Sequence, residues 1–104
     1  MPNFLMIYKG GKAPETPEEG EAAMAAWGKW MSDHQKALVD PGNPVGLSRT
    51  VDAKGTHDGA TEPAAGYTII QAPDIDAACR IATSNPMVAD GGNIEVAEIV
   101  PLEM

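Results

Sequence analysis

The chain opens on Asn3-Phe4-Leu5-Met6-Ile7-Tyr8, with Phe4, Met6 and Tyr8 on one parity and Leu5 and Ile7 on the other. Successive strand side chains point to opposite faces, so apolar bulk on both parities predicts a first strand buried on both sides. After Gly10, Gly11 and Pro14 the period changes. Ala23, Trp27, Trp30, Met31, His34 and Leu38 recur at helical steps, while Glu21, Lys29, Asp33 and Lys36 take other faces. That spacing is the apolar stripe of a helix. Thr16-Pro17-Glu18-Glu19 marks its start, with an N-cap, a proline in the first turn and a glutamate placed to complete a capping box. The helix is expected to run to about Val39 and to end at Asp40-Pro41-Gly42-Asn43-Pro44.

Val45, Leu47, Arg49 and Val51 share a parity, which predicts a second strand from Val45 to about Val51 and makes Arg49 a candidate inward residue. Asp52 to Ala65 has little bulky apolar content and reads as a hairpin tip or a longer mobile loop. Gly66-Tyr67-Thr68-Ile69-Ile70-Gln71 is a third strand by its aromatic and β-branched content. Asp74 is placed to cap a second helix whose buried stripe is Ile75, Ala78, Cys79 and Ala82, and which stops before Asn85-Pro86. Ile94 to Val100 gives the last strand.

The order β-α-β-β-α-β, with right-handed crossovers, sets two helices on one face of a four-stranded antiparallel sheet. This predicts one α+β domain of the ferredoxin-like kind over residues 1–104. The opposite face is left bare and apolar, and a homodimer stacking sheet on sheet would cover it. A long loop, or the tail Pro101-Leu102-Glu103-Met104, folding back over a monomer is the alternative.

Length and charge narrow the function. A chain of 104 residues holds one core. Fifteen acidic against seven basic residues give a net charge of -8, which repels phosphate backbones and anionic lipid, so no nucleic acid and no membrane partner is expected. The short apolar start has no basic segment before it and reads as a strand, not a secretory leader. No other stretch approaches membrane-spanning length. The lone Cys79 fits a reducing compartment, with the cytoplasm as the expected location.

The helix carrying His34, the third strand followed by Pro73-Asp74-Ile75-Asp76-Ala77-Ala78, and the run Asn85-Pro86-Met87-Val88-Ala89-Asp90-Gly91-Gly92-Asn93-Ile94-Glu95-Val96 together resemble the YCII-related family, and its DGPF-containing branch in particular. Where that branch carries Asp-Gly-Pro-Phe, this loop reads His57-Asp58-Gly59-Ala60, and Ala97 stands where relatives often carry a basic residue. The resemblance implies a dimeric α+β barrel. It also implies a site built on a histidine with an acidic partner, in a family where a few members act on small organic molecules, among them a chlorinated aromatic that is dehydrochlorinated. His34 stands where the helix histidine of such a site is expected.

From the residues themselves, His34 is the candidate proton carrier, since an imidazole on the apolar stripe can both accept and give a proton; the competing reading is a core histidine satisfied by a carbonyl and a water. Asp40 is a candidate catalytic partner, although six residues do not place it on the same helix face, and it also suits a turn. Trp27, Trp30 and Met31 form either a core stripe or the wall of a ligand pocket, to which Tyr8 and Tyr67 would add hydroxyls. No histidine–carboxylate spacing around His57, Asp58 and Glu62 matches a metal motif, so no metal is assigned. Cys79 reads as a small core residue.

Two functions follow. One is a lyase- or isomerase-type enzyme that moves a proton with His34 on a small aromatic or carbonyl compound, with no organic cofactor called for. The other is a non-catalytic ligand-binding or regulatory module whose acidic surface selects a basic partner. A haem-free monooxygenase rests on fold analogy alone.

Overall fold

The computed structural model describes residues 1–102; Glu103 and Met104 lie outside the described residues. The central strand is β1 (Asn3–Lys9), flanked by β5 (Ala64–Gln71) and β6 (Asn93–Ile99), with β2 (Leu38–Asp40) at one edge. The order β2-β5-β1-β6 is antiparallel at every pairing. With α1 (Pro17–Asp33) and α2 (Ile75–Thr83) as the crossovers, this is the ferredoxin-like α+β fold. The single turn α3 (Pro86–Ala89) follows α2, and a separate hairpin of β3 (Arg49–Asp52) and β4 (Gly55–Asp58) is inserted between β2 and β5.

The core lies between the sheet and the helices. Phe4, Met6 and Tyr8 of β1 face the helices and pair across the strand with Ile70, Thr68 and Gly66 of β5. Trp30, Ala72, Ala78 and Ala82 complete the buried hydrophobic set. Leu5 and Ile7 are half-buried, so β1 is fully covered on one face only, in contrast to the expectation from its two apolar parities. They share the open face with Tyr67 and Ile69 of β5 and Ala97 of β6, their cross-strand neighbours. The tail at Pro101 and Leu102 is exposed. The chain is correspondingly flat, 44 × 37 × 18 Å. Its radius of gyration of 15.1 Å exceeds the value of about 13 Å typical of a chain this long.

The first helix begins as its capping signal dictates: the Glu19 amide donates to Thr16 Oγ1 at 3.1 Å, and the Glu19 carboxylate accepts from the Glu15 amide at 2.7 Å, one residue earlier than a standard box. It ends at Asp33, not Val39, and His34 is its C-cap. Residues 34–37 turn through short-range bonds, with the Ala37 amide on the His34 carbonyl at 2.9 Å, and the Ala37 carbonyl then accepts from the Gln71 amide at 2.8 Å. Leu38 thus returns to the core as a strand residue opposite Ile70. The helical period carried through Leu38 because a turn brought it back to the same core.

The second strand is likewise displaced. The edge of the sheet is Leu38–Asp40, whereas Val45, Leu47 and Val51 are exposed and Arg49, far from facing inward, pairs with Asp58 at 3.5 Å across the hairpin. Pro41 and Pro44 bracket the turn after the edge strand, and residues lacking an amide hydrogen cannot continue a ladder. In α2, Asp74 caps the helix as expected, accepting from the Ala77 amide at 2.8 Å. The buried stripe is Ala78 and Ala82 with Ile81 beside them, while Ile75 and Cys79 are exposed, so the stripe is rotated by about one residue from the sequence reading. No helix among the described residues is long and apolar enough to cross a membrane.

Candidate functional site

Tyr8, near the end of β1, is buried, and its phenol oxygen lies 2.6 Å from Thr68 Oγ1 on the neighbouring strand. Thr68 Oγ1 is in turn 2.9 Å from the Pro41 carbonyl. A carbonyl only accepts, so the single threonine hydrogen goes to Pro41 and the phenol hydrogen goes to Thr68. From the other side, Asn85 Nδ2 approaches the phenol oxygen at 3.5 Å while Asn85 Oδ1 accepts from the Met87 amide at 2.8 Å, capping α3. Thr68 and Asn85 are both buried, and the chain Asn85–Tyr8–Thr68–Pro41 satisfies them. Burial pushes the Tyr8 phenol above its usual pKa, and its hydrogen bonds to Thr68 and Asn85 only partly offset that.

Beside this chain is a cavity of about 340 Å³. Tyr8 and Thr68 form part of its wall, Trp27 and Met31 of α1 close one side, and the 41–44 turn closes the other. Trp27 meets Tyr8 edge-to-face, with ring centres 5.2 Å apart. The turn is held close by glycine. Gly42 has φ +75°, and a Cβ there would fall 1.8 Å from the Tyr67 carbonyl oxygen. Tyr67 reaches the cavity through its backbone and ring edge beside Gly42, since its strand position belongs to the open face. A wall of aromatic and aliphatic groups with a few fixed hydroxyls, at this volume, is the ordinary composition of a small-molecule site.

A second groove of about 790 Å³ runs between α1 and the α2–α3 segment, with Trp30, Asp33, Ser84 and Asn85 on its walls. Trp30 is buried, stacks tilted on His34 at 5.4 Å and donates its indole hydrogen to the Ile81 carbonyl at 3.1 Å. His34 is half-buried and lies outside the groove's walls, with Nε2 3.0 Å from Oγ of the wall residue Ser84. Ser84 Oγ is also 3.0 Å from the Ile81 carbonyl.

The candidates read from the sequence therefore fall in two places. Tyr8, Trp27, Met31 and Tyr67 border the cavity, while Trp30 lines the groove and His34 meets it only through Ser84 and Trp30. Asp40 joins neither: it is exposed, and its carboxylate accepts from the Gly42 amide at 2.9 Å, which makes it a turn former under the cavity rim. His57 bonds Asp52 at 3.2 Å within the hairpin, and Glu62 approaches Lys9 at 3.6 Å. No three metal-ligating side chains cluster among the described residues. Thr68, Asn85 and Ser84 were not singled out from the sequence. A signal was present for Thr68, the one polar side chain on the inward parity of an apolar strand, while Asn85 was read as a helix stop and as the first residue of the run that carries the family resemblance.

No curated protein matches the chain. Among solved structures it resembles the 5-chloro-2-hydroxyhydroquinone dehydrochlorinase (TftG) from Burkholderia phenoliruptrix AC1100, in complex with 2,5-dihydroxybenzoquinone, at 17% identity and a TM-score of 0.53, over 89% of this chain and 90% of that one. At that identity the likeness speaks for the fold. The family model for the YCII-related domain matches residues 1–103, and the chain belongs to that family.

Proposed function

We propose that this YCII-family chain binds a small flat ring compound in the cavity beside Tyr8 and turns it over by a lyase- or isomerase-type proton transfer in the cytoplasm. The observation that carries the reading is the cavity itself: about 340 Å³, walled by Trp27, Met31 and Tyr8, and furnished with the buried Tyr8–Thr68 hydroxyl pair. The fold-level likeness to a dehydrochlorinase supports the reaction class. Such a step needs a base, with a leaving group to expel in an elimination or a second atom to take the proton back in an isomerisation, and calls for no organic cofactor. His34 is the proton carrier in this reading, held by Ser84. A homodimer belongs to the same reading, supported by the open apolar face around Leu5, Ile7 and Ile69.

One observation favours a second reading, a binding module without catalysis: the His34 ring sits on Trp30 and Ser84, outside the walls of the cavity and of the groove. Fluorescence titration of a panel of phenols and aromatic carbonyl compounds separates these. Binding that weakens about tenfold or more in Trp27→Ala is expected, because the indole is an apolar wall of the cavity. Equal binding by Trp27→Ala overturns the cavity reading. Turnover of a bound compound that is lost in His34→Gln supports the enzyme, whereas turnover unchanged in that variant removes His34 from the chemistry.

A further inference from the structure

The buried hydroxyl chain gives the cavity a polarity. Both of its ends are fixed: at one the Pro41 carbonyl, which can only accept, and at the other Asn85 Nδ2, which can only donate, its amide oxygen being held by the Met87 amide. With one hydrogen on each hydroxyl, a single arrangement satisfies the chain. Asn85 donates to Tyr8, Tyr8 donates to Thr68, and Thr68 donates to Pro41. Neither hydroxyl hydrogen is left for a ligand. Each oxygen has two lone pairs and accepts one bond within the chain, so each keeps acceptor capacity.

Nearby groups leave this polarity in place. The Gly42 amide is already given to Asp40, and the Tyr67 amide to the Asn43 carbonyl at 3.2 Å. Asn43 is exposed at the rim, where its side-chain amide can present either end. Trp27, half-buried on the wall, carries an indole hydrogen with no acceptor among the described residues, so it is the Tyr8–Thr68 hydroxyl pair, and not the whole wall, that is set to receive hydrogen bonds.

We infer that the cavity selects ligands that donate a hydrogen bond from the ring edge, a hydroxylated arene over an aromatic aldehyde, ketone or ether of the same size, with Thr68 and Tyr8 as the specificity-determining residues. This rests on the proposed occupancy of the cavity. A carbonyl oxygen brought against the hydroxyl pair meets lone pairs and finds no donor there, a mismatch that discriminates between isosteric ligands.

The test compares phenol with benzaldehyde, two flat rings of similar size, by NMR titration of the intact protein and of Thr68→Val, Thr68→Ser and Tyr8→Phe. The wild type is expected to favour phenol by about tenfold. Thr68→Ser keeps the hydroxyl and the preference. Tyr8→Phe also keeps it, because Thr68 retains its bond to Pro41 and gains a free lone pair. Thr68→Val frees the Tyr8 phenol hydrogen, and the preference reverses towards benzaldehyde. If Thr68→Val does not fold, the Thr68→Ser and Tyr8→Phe results decide. Equal affinity for the two rings, with binding still dependent on Trp27, overturns the polarity and leaves the occupancy standing. Failure of both rings to bind, or binding indifferent to Trp27→Ala, overturns the occupancy and the inference with it.

Discussion

Tyr8 and Thr68, 60 residues apart in sequence, bring their hydroxyl oxygens to 2.6 Å on adjacent central strands, inside the core. That contact ties the end of β1 to β5, and through Pro41 it also holds the turn that closes the cavity. The same pair is structural, and in the proposed reading it also meets the ligand.

The pH dependence of stability should show it. The folded Tyr8 pKa is raised from 10.0, chiefly by burial. As pH rises through about 10 the unfolded chain loses this proton while the folded chain keeps it, so the unfolded state binds fewer protons and stability falls. Below that range the group contributes no slope. Tyr8→Phe is expected to be about 1–2 kcal/mol less stable than wild type at neutral pH. The gap should narrow above about pH 10. Urea unfolding across that range checks both, and a gap that widens with pH contradicts the burial of Tyr8.

Gly42 is the least replaceable residue of the rim. With φ at +75° and the Tyr67 carbonyl oxygen 1.8 Å from where a Cβ would sit, Gly42→Ala must move the turn. A loss on the order of 2 kcal/mol is expected, larger than the strain of a left-handed alanine alone. Ring binding should weaken together with it. Thermal unfolding without change would mean that the turn is free to adjust.

On the open face, Leu5 and Ile69 are cross-strand neighbours, half-buried in the single chain. The proposed dimer predicts that Ile69→Lys, which places a charge in the centre of the apolar patch, converts a dimeric wild type into a folded monomer in sedimentation velocity. A monomeric wild type at micromolar concentration ends the dimer proposal.

The fold was readable where local chemistry and the core agree. Thr16 and Pro17 start a helix wherever they stand, Asp74 caps the next one, and the apolar runs of β1, β5 and β6 form the sheet. It was not readable between Asp33 and Ser48, where two regular patterns pointed to the wrong elements. Leu38 kept helical spacing with Trp30 and His34 yet lies in the edge strand, because a turn is as able as a helix to return a side chain to the core. Val45, Leu47 and Val51 alternate like a half-buried strand but face solvent, since alternation records two faces and not which of them is covered. The site was half legible for a related reason. Aromatic side chains at helical spacing announce a wall, whereas the Tyr8–Thr68–Asn85 chain depends on three elements meeting, which no local pattern encodes.

The β3–β4 hairpin satisfies its own backbone, with Gly59 donating to the Ser48 carbonyl at 2.9 Å and the Thr50 hydroxyl bonding the Gly59 carbonyl at 2.7 Å. Its four-residue strands are exposed throughout. Such an arm is a graft point: a fluorophore or affinity tag inserted at Ala53-Lys54 has no core side chain to displace, and it travels with the protein while leaving the sheet, the turn at Gly42 and the cavity behind it as they are.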